Sequence, residues 1–195
     1  MSAVVLSRLY SEPPVCEKEI LRYANCKEAD ATTLALMNDC LKKAKSNIKY
    51  QVCYCKLPLS VEGEVCTIGV FAFKSKDLAV NLSECSQAII FAATLGTAFD
   101  RLIAKHSRLS PSAAHMLGAI GAERIEALCD AFCSDMEAEL GVRLKPRFSA
   151  GYGDLALDNQ RQIFNLLNCQ KHIGLTLTDR FIMSPSKSVT AIVGF

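Results

Sequence analysis

One long amphipathic stretch, from Ser110 to Gly141, constrains the fold of this chain more than any other feature. It opens with Ser110-Pro111, a capping serine followed by a proline whose missing N–H is not needed at a first helical position. Side chains at spacings of three or four then continue the pattern as Leu117, Ile120, Arg124, Leu128, Phe132 and Met136. Gly141 is a typical stop signal. The sequence therefore predicts its longest helix here.

Two glycines inside this predicted helix need an explanation. Gly118 and Gly121 each cost about 1 kcal/mol relative to alanine in a helix interior. We therefore expect another backbone or a ligand to pack closely against that face. The same helix carries Glu123, Glu126 and Asp130. A solvated acidic face is one interpretation, and the alternative is that one of these carboxylates meets the cationic part of a ligand.

The rest of the chain mixes strands and helices without regular alternation. Alternation over residues 48–55, a turn at Glu62-Gly63 and an apolar run over 65–73 predict an antiparallel pair, with the first strand ended by Pro58. Further strands are predicted within residues 1–14, at 88–93, at 175–177 and at 188–195. Shorter helices are predicted at 16–23, after Asp30, at 75–82, at 99–104 and after Asp154. This order favours the α+β class, with antiparallel strands and a single domain over residues 1–195.

Composition and charge argue against several classes of protein. The formal net charge is +2 and no basic run is interleaved with aromatic residues, so nucleic acid is not an expected partner. No apolar run approaches the roughly 18 to 20 residues needed to span a bilayer, and the first ten residues lack a signal-peptide pattern. Ten cysteines in mostly apolar segments fit a reduced, cytoplasmic chain.

Several kinds of catalytic or metal site are also disfavoured. Cys53 and Cys55 share one face of a predicted strand, but no second pair of cysteines or histidines stands at zinc-ligand spacing. The three histidines are scattered, which argues against a Cys/His nucleophile pair. Glycine-rich phosphate loops of the dinucleotide and Walker types are absent. We therefore predict no metal and no catalytic acid, base or nucleophile.

The strongest candidate for a ligand site is the segment 147–154, which reads Arg-Phe-Ser-Ala-Gly-Tyr-Gly-Asp. Its two glycines suit a backbone that turns sharply or approaches something closely. Arg147 offers a planar charged fork for a carboxylate or phosphate, and Tyr152 offers a flat ring. Together they predict a small ligand with an anionic end and a flat or cationic part. An ordinary strand–turn–helix junction with a surface ion pair remains the alternative.

Several motifs in the same order resemble the activation, or reactivation, domain of cobalamin-dependent methionine synthase and its stand-alone relatives. The match is strongest over residues 147–194. It consists of Arg147-x-x-x-Gly151-Tyr152-Gly153-Asp154, Gln160-x-x-Ile163-Phe164-x-Leu166-Leu167, Ile173-Gly174-Leu175-x-Leu177-Thr178 and Met183-Ser184-Pro185-x-Lys187-Ser188-Val189. A weaker match covers Ala119 to Leu128 on the long helix.

This resemblance implies a C-shaped α+β domain that binds S-adenosylmethionine. It also implies that Arg147 pairs with the methionyl carboxylate, Glu126 takes the ammonium group and Tyr152 meets the sulfonium. The adenosine would approach the main-chain groups of the flexible backbone from Ala150 to Gly153, with Ala150 and Gly151 as the predicted binding residues. A reductant, such as a flavodoxin-like protein, would supply an electron to the oxidised cobalamin of methionine synthase. The domain would then present S-adenosylmethionine, whose methyl group remethylates the cobalt. On this reading the domain is an accessory to a methyltransferase reaction and supplies position.

The chain also departs from the family pattern. The Pro-Gly-Tyr-Pro of full-length methionine synthase reads Ala150-Gly151-Tyr152-Gly153, as in stand-alone forms. Two ligand contacts of the full-length domain, an N-terminal aspartate and a tyrosine after the last strand, have no counterpart that we can place. No Asp-x-His-x-x-Gly cobalamin motif occurs, so the resemblance implies cobalamin only on a partner protein. The alternative function is a binding or regulatory module that kept the fold and lost or changed its ligand.

Overall fold

An antiparallel sheet with helices on both of its faces forms the domain. The computed structural model describes residues 4–26 and 28–195. The strands are β1 (Leu6–Tyr10), β2 (Tyr50–Glu62), β3 (Val65–Ile68), β4 (Phe71–Lys74), β5 (Gln87–Thr94), β6 (Thr176–Leu177), β7 (Met183–Ser184) and β8 (Ser188–Gly194). The helices are α1 (Glu17–Tyr23), α2 (Ala31–Lys45), α3 (Lys76–Asn81), α4 (Thr97–Leu109), α5 (Pro111–Leu140), α6 (Gln160–Leu167) and α7 (Cys169–Ile173), with a 3-10 turn at Leu157–Asn159.

The main sheet has six strands, in the order β4-β3-β2-β5-β8, with β1 also paired to β2. All of these pairs are antiparallel, which confirms the predicted α+β class. The predicted leading strand is β1, which begins at Leu6; residues 1–3 of that prediction lie outside the described part of the chain. The small β6–β7 pair includes Met183 and Ser184, where the sequence analysis predicted no strand.

Strand β2 corrects two details of the sequence analysis. It continues through Pro58 to Glu62. On one edge of β2, pairing with β1 extends from Tyr50 to Tyr54, and pairing with β3 begins only at Leu59. The missing N–H of Pro58 therefore lies in the gap between two partners, where a proline is tolerated. Up to Cys55 the strand is also buried on both faces rather than half-buried, because the thiols of Cys53 and Cys55 are fully covered.

Alternating side chains of the central strands build two separate cores. One face of β5 carries Ile89, Phe91 and Ala93, which pack with the apolar stripe of α5 and with α1, α2 and α4. The opposite face carries Ala88, Ile90 and Ala92, which pack with α3, α6 and α7. All ten cysteines are free thiols, and most of them are buried as small apolar side chains.

Helix α5 has the boundaries that the sequence predicted. The Ser110 hydroxyl accepts a hydrogen bond from the backbone N–H of Ala113, with Pro111 in the first turn, and Gly141 ends the helix in the left-handed conformation at φ 68°. The close approach expected at its glycines occurs only at Gly121. A Cβ there would lie 2.6 Å from the Phe99 ring and 2.9 Å from the stem of Lys187. Side chains of the fold, and not a ligand, therefore explain this glycine.

Gly121→Ala should lower the free energy of unfolding by about 1 to 3 kcal/mol, because the new methyl overpacks against the buried Phe99 ring. Gly118→Ala is the matched control on the same helix, since nothing lies within 4 Å of a Cβ at Gly118. This control should raise the free energy of unfolding by up to about 1 kcal/mol. Urea denaturation of both variants measures the difference. Equal effects of the two substitutions would contradict the packing argument.

Candidate functional site

An open cleft of about 630 Å³ lies between α5 and the extended segment that follows it. Helix α5 supplies one wall, with Glu126, Asp130, Cys133, Ser134 and Glu137. The segment and the bend after it supply the other wall, and Val189 of β8 contributes an apolar contact. These residues are Leu144, Lys145, Pro146, Arg147, Ser149 and Tyr152. Three carboxylates and two cationic side chains line the cleft, so its formal charge is negative.

The second wall is held in place by the edge of the sheet. Lys145 donates its backbone N–H to the carbonyl of Gly194, and Phe148 exchanges two backbone hydrogen bonds with Ile192 at 2.8 and 2.9 Å. The segment therefore runs along the outer edge of β8. On the opposite side, the Glu137 carboxylate accepts a hydrogen bond from the backbone N–H of Leu144 at 2.9 Å. Helix and strand thus fix the width of the cleft together.

Arg147 is the electrostatic centre of the cleft. Its guanidinium donates to the Glu126 carboxylate at 2.8 Å and to the Asp130 carboxylate at 2.5 Å. Glu126 and Asp130 are one helical turn apart on α5, so both reach the same arginine. Burial acts to lower the pKa of Arg147, but the two carboxylates outweigh it and raise the pKa above its usual value. The cluster is half-open to solvent, with 26 % of the Arg147 side chain exposed.

The bend after Phe148 is shaped by local hydrogen bonds and two glycines. The N–H of Tyr152 donates to the Ser149 carbonyl at 3.0 Å, and the N–H of Gly151 donates to the Leu155 carbonyl at 2.8 Å. Gly151 and Gly153 have φ values of 88° and 54°, which favour glycine. The ring of Tyr152 packs edge-on against the ring of Phe148, with centroids 5.4 Å apart, and is 67 % exposed at the cleft.

The structure brings three of the five predicted site residues into one cleft. Arg147, Glu126 and Tyr152 all line it. Ala150 does not line this cleft, because its side chain is buried in the core on the other face of the sheet. Gly151 faces away as well, and a Cβ there would lie 3.0 Å from Leu157. These two residues shape the bend that carries Tyr152.

Two features of the site were missed or misplaced by the sequence analysis. Asp154 does not cap the helix that follows it; its carboxylate accepts hydrogen bonds at the N-terminus of α3 instead. The three acidic residues of α5 also form neither a solvated face nor a set with one member free for a ligand, the two interpretations that the sequence allowed. Glu126 and Asp130 meet Arg147, whereas Glu123 is buried in an ion pair with Arg124. The signal for this pair was present, since Arg124 lies on the apolar spacing of the helix.

Across residues 4–26 and 28–195, histidines, cysteines and carboxylates form no group of three that could hold a metal ion. Within the same ranges, no helix combines the length and apolar character needed to cross a membrane. The cleft beside α5 is the place where the predicted residues Arg147, Glu126 and Tyr152 come together.

The fold and the cleft define an α+β domain with an acidic cleft of small-molecule size. A family model described as "Vitamin B12 dependent methionine synthase, activation domain" matches residues 141–194. The solved structure of the MetH reactivation domain bound to AdoHcy has the same fold, with a TM-score of 0.71 and 15 % sequence identity. That match covers 99 % of this chain and 78 % of the solved chain. No curated protein matches the sequence.

The family resemblance predicted from the residues is thus confirmed: this chain has the methionine synthase reactivation-domain fold and carries that family's sequence pattern over residues 141–194. The matched stretch includes Arg147 and the whole bend with Tyr152. Glu126 lies outside it, on α5. Both walls of the cleft lie within the shared fold, but only one lies within the matched sequence.

Proposed function

We propose that this domain binds S-adenosylmethionine in the cleft beside α5 and presents it to the corrinoid of a separate cobalamin-dependent methionine synthase. The family model and the shared fold give the class of domain. The solved domain of this fold is bound to AdoHcy, which is what S-adenosylmethionine becomes when it gives up its methyl group. The volume of the cleft, about 630 Å³, falls within the range of small-molecule sites.

The ion pair between Arg147 and Glu126 is the observation that carries the proposal. Its two charges lie 2.8 Å apart at the wall of the cleft. An α-amino acid head group carries a carboxylate and an ammonium on one carbon, so it can complement both charges at once. The guanidinium has five N–H donors in a fixed fork, and the bonds to Glu126 and Asp130 leave others for a ligand carboxylate.

The acidic character of the cleft suits the remaining charge of the ligand. S-adenosylmethionine carries a sulfonium in addition to its zwitterionic head, whereas S-adenosylhomocysteine lacks that charge. With three carboxylates and two cations along its walls, the cleft should favour the sulfonium form. The exposed ring of Tyr152 adds a cation–π contact of about 0.5 to 2 kcal/mol if the sulfonium lies over its face.

In this role the domain supplies position and not a reacting group. The corrinoid of the partner would supply the nucleophile once a reductant had given it an electron, and the bound S-adenosylmethionine would supply the methyl group. The residues of this chain hold the amino-acid head and orient the sulfonium toward the open mouth of the cleft. The openness of the cleft is consistent with a ligand that must be reached by a second protein.

The experiment has a binding step and a functional step. S-adenosylmethionine is titrated into the protein by calorimetry, and Cys133 is followed by alkylation and peptide mapping, because its thiol lines the cleft. Burial raises the pKa of Cys133, so labelling is done at mildly alkaline pH. Cys85, whose pKa burial also raises and which lies outside the cleft, is the control. Bound ligand should slow the labelling of Cys133 and leave that of Cys85 unchanged.

The functional step uses a methionine synthase that lacks its own activation domain and has been inactivated by oxidation. Addition of this protein, a one-electron reductant and S-adenosylmethionine should restore turnover. Omission of this protein alone should leave the synthase inactive. Binding without recovered turnover would remove the proposed action on a separate synthase.

A module that has lost or changed its ligand is the second candidate function. The observation that favours it is that Arg147 is already matched by two carboxylates, Glu126 and Asp130. An incoming carboxylate must therefore share or displace these partners. Absence of heat and of Cys133 protection with S-adenosylmethionine would favour this alternative over the proposed function.

A further inference from the structure

The bend that carries Tyr152 is fastened to a helix far away in the sequence. The Asp154 carboxylate accepts a hydrogen bond from the hydroxyl of Ser75 and from the backbone N–H groups of Lys76 and Asp77, at 2.8 and 3.2 Å for the latter two. It thus satisfies the N–H groups of Lys76 and Asp77 at the start of α3, while the Ser75 hydroxyl caps the same helix by accepting from the N–H of Leu78. These hydrogen bonds, first the one from Ser75, lower the pKa of Asp154.

The neighbouring residue makes the same attachment tighter. Gly153 has φ 54°, and a Cβ at this position would collide with the side chain of Asp77. Two consecutive residues of the bend therefore lie directly against the first turn of α3. The other end of the bend is fixed by the backbone bonds between Phe148 and Ile192 of β8. The four residues between these attachments, 149–152, include the two that line the cleft, Ser149 and Tyr152.

Tyr152 is exposed, but its backbone is held within the bend. Tyr152 is 67 % exposed, and its one aromatic neighbour in the described part of the chain is Phe148. Its N–H donates to the Ser149 carbonyl, and its carbonyl accepts from the N–H of the buried Leu155 at 3.1 Å. Without the further attachment through Asp154, the bend would sample more conformations, and a ligand would have to order it on binding. The attachment through Asp154 lowers this cost in advance.

We propose that Asp154 is a positioning residue for the ligand cleft: it clamps the bend onto α3 and so keeps Tyr152 at the mouth of the cleft before any ligand arrives. The ligand part of this inference rests on the proposed function. The attachment itself can be tested without ligand.

The first test is amide hydrogen exchange of the ligand-free protein, compared between wild type and Asp154→Ala. Peptides that cover residues 149–155 should exchange about 10-fold faster or more in the variant, whereas β8 should be unchanged. Asp30→Ala is the matched control, because Asp30 caps α2 through the N–H of Thr33 at 2.7 Å and does not touch the bend. This control should leave the exchange of 149–155 at the wild-type rate. Unchanged exchange of 149–155 in Asp154→Ala would overturn the inference.

The second test is a double-mutant cycle on the affinity for S-adenosylmethionine. Asp154→Ala should weaken binding about 10-fold, and Tyr152→Ala should then cost little more, because the ring is no longer positioned. Additive losses, or wild-type affinity in Asp154→Ala, would show that Asp154 does not position Tyr152 for the ligand. If wild type itself binds no S-adenosylmethionine, the proposed function fails, while faster exchange of the bend still supports the clamp.

Discussion

Replacing Arg147 with alanine should weaken the binding of S-adenosylmethionine by about 10- to 100-fold. A hydrogen bond to a charged group contributes about 1.5 to 3 kcal/mol, and each 1.4 kcal/mol is a factor of ten in affinity. The variant also leaves Glu126 and Asp130 facing the ligand carboxylate without their counter-charge. Both effects act in the same direction. Calorimetric titration of wild type and variant measures the ratio of dissociation constants.

Two further variants separate charge from geometry. Arg143→Ala removes the same charge close by in sequence, but the Arg143 side chain is 95 % exposed and forms a loose ion pair with Glu137, at 3.8 Å. It should change affinity less than about twofold, because an exposed charge is screened. Arg147→Lys keeps the charge and loses the planar fork. Its affinity for S-adenosylmethionine should therefore lie between those of Arg147→Ala and Arg143→Ala. Equal affinity of wild type and Arg147→Ala would remove this arginine from the site.

These affinity measurements should not be confounded by unfolding. The Asp130 side chain is 71 % exposed and that of Glu126 is 44 % exposed, and ion pairs of this kind contribute little to stability. Arg147→Ala should therefore unfold at nearly the wild-type urea concentration. A large loss of stability would indicate that the cluster of Arg147, Glu126 and Asp130 stabilises the fold of the cleft and does not serve ligand binding alone.

Local patterns were sufficient for the elements that frame the cleft. Serine, proline and glycine fixed the ends of α5 because capping depends on neighbouring residues only. Continuous apolar character predicted β5, and the turn at Gly63 predicted the β2–β3 hairpin. The single strand expected over residues 65–73 was wrong, because the chain turns at Gly69 and forms the two paired strands β3 and β4. The segment 147–154 could be selected as a candidate ligand site because its residue types are costly in an ordinary core, and its role in binding stays a prediction. Most of the secondary structure follows from interactions of this short range.

The rest depends on contacts between distant parts of the chain, which periodicity does not contain. Pro58 was expected to end a strand, since nothing local shows that its nitrogen, which has no N–H to donate, lies in the gap between β1 and β3. Asp154 was assigned to the helix after it, because the sequence does not show that α3 lies beside it. The sequence likewise did not determine which groups Arg147 contacts. The resemblance suggested a ligand for its charge, and the fold places two carboxylates there as well.

A second charged cluster should dominate stability instead of binding. Arg124 is 1 % exposed and donates to both oxygens of Glu123, at 2.5 and 2.6 Å, and to the carbonyls of Pro13 and Pro14, each at 2.6 Å. Glu123 in turn accepts a hydrogen bond from the N–H of Cys16. Arg124→Ala leaves a buried carboxylate and two carbonyls without their donor. The free energy of unfolding should fall by about 3 to 5 kcal/mol, as expected for one broken half of a buried ion pair.

The pair of Arg8 and Glu139 provides the matched control for this prediction. It is also an arginine with two bonds to one glutamate, at 2.6 and 2.8 Å, and it also ties the N-terminal segment to α5. It differs in burial, because the Glu139 side chain is 52 % exposed. Glu139→Ala should therefore cost at most about 1 kcal/mol in urea denaturation. Similar losses for Glu139→Ala and Arg124→Ala would show that number of bonds, and not burial, sets the contribution of these pairs.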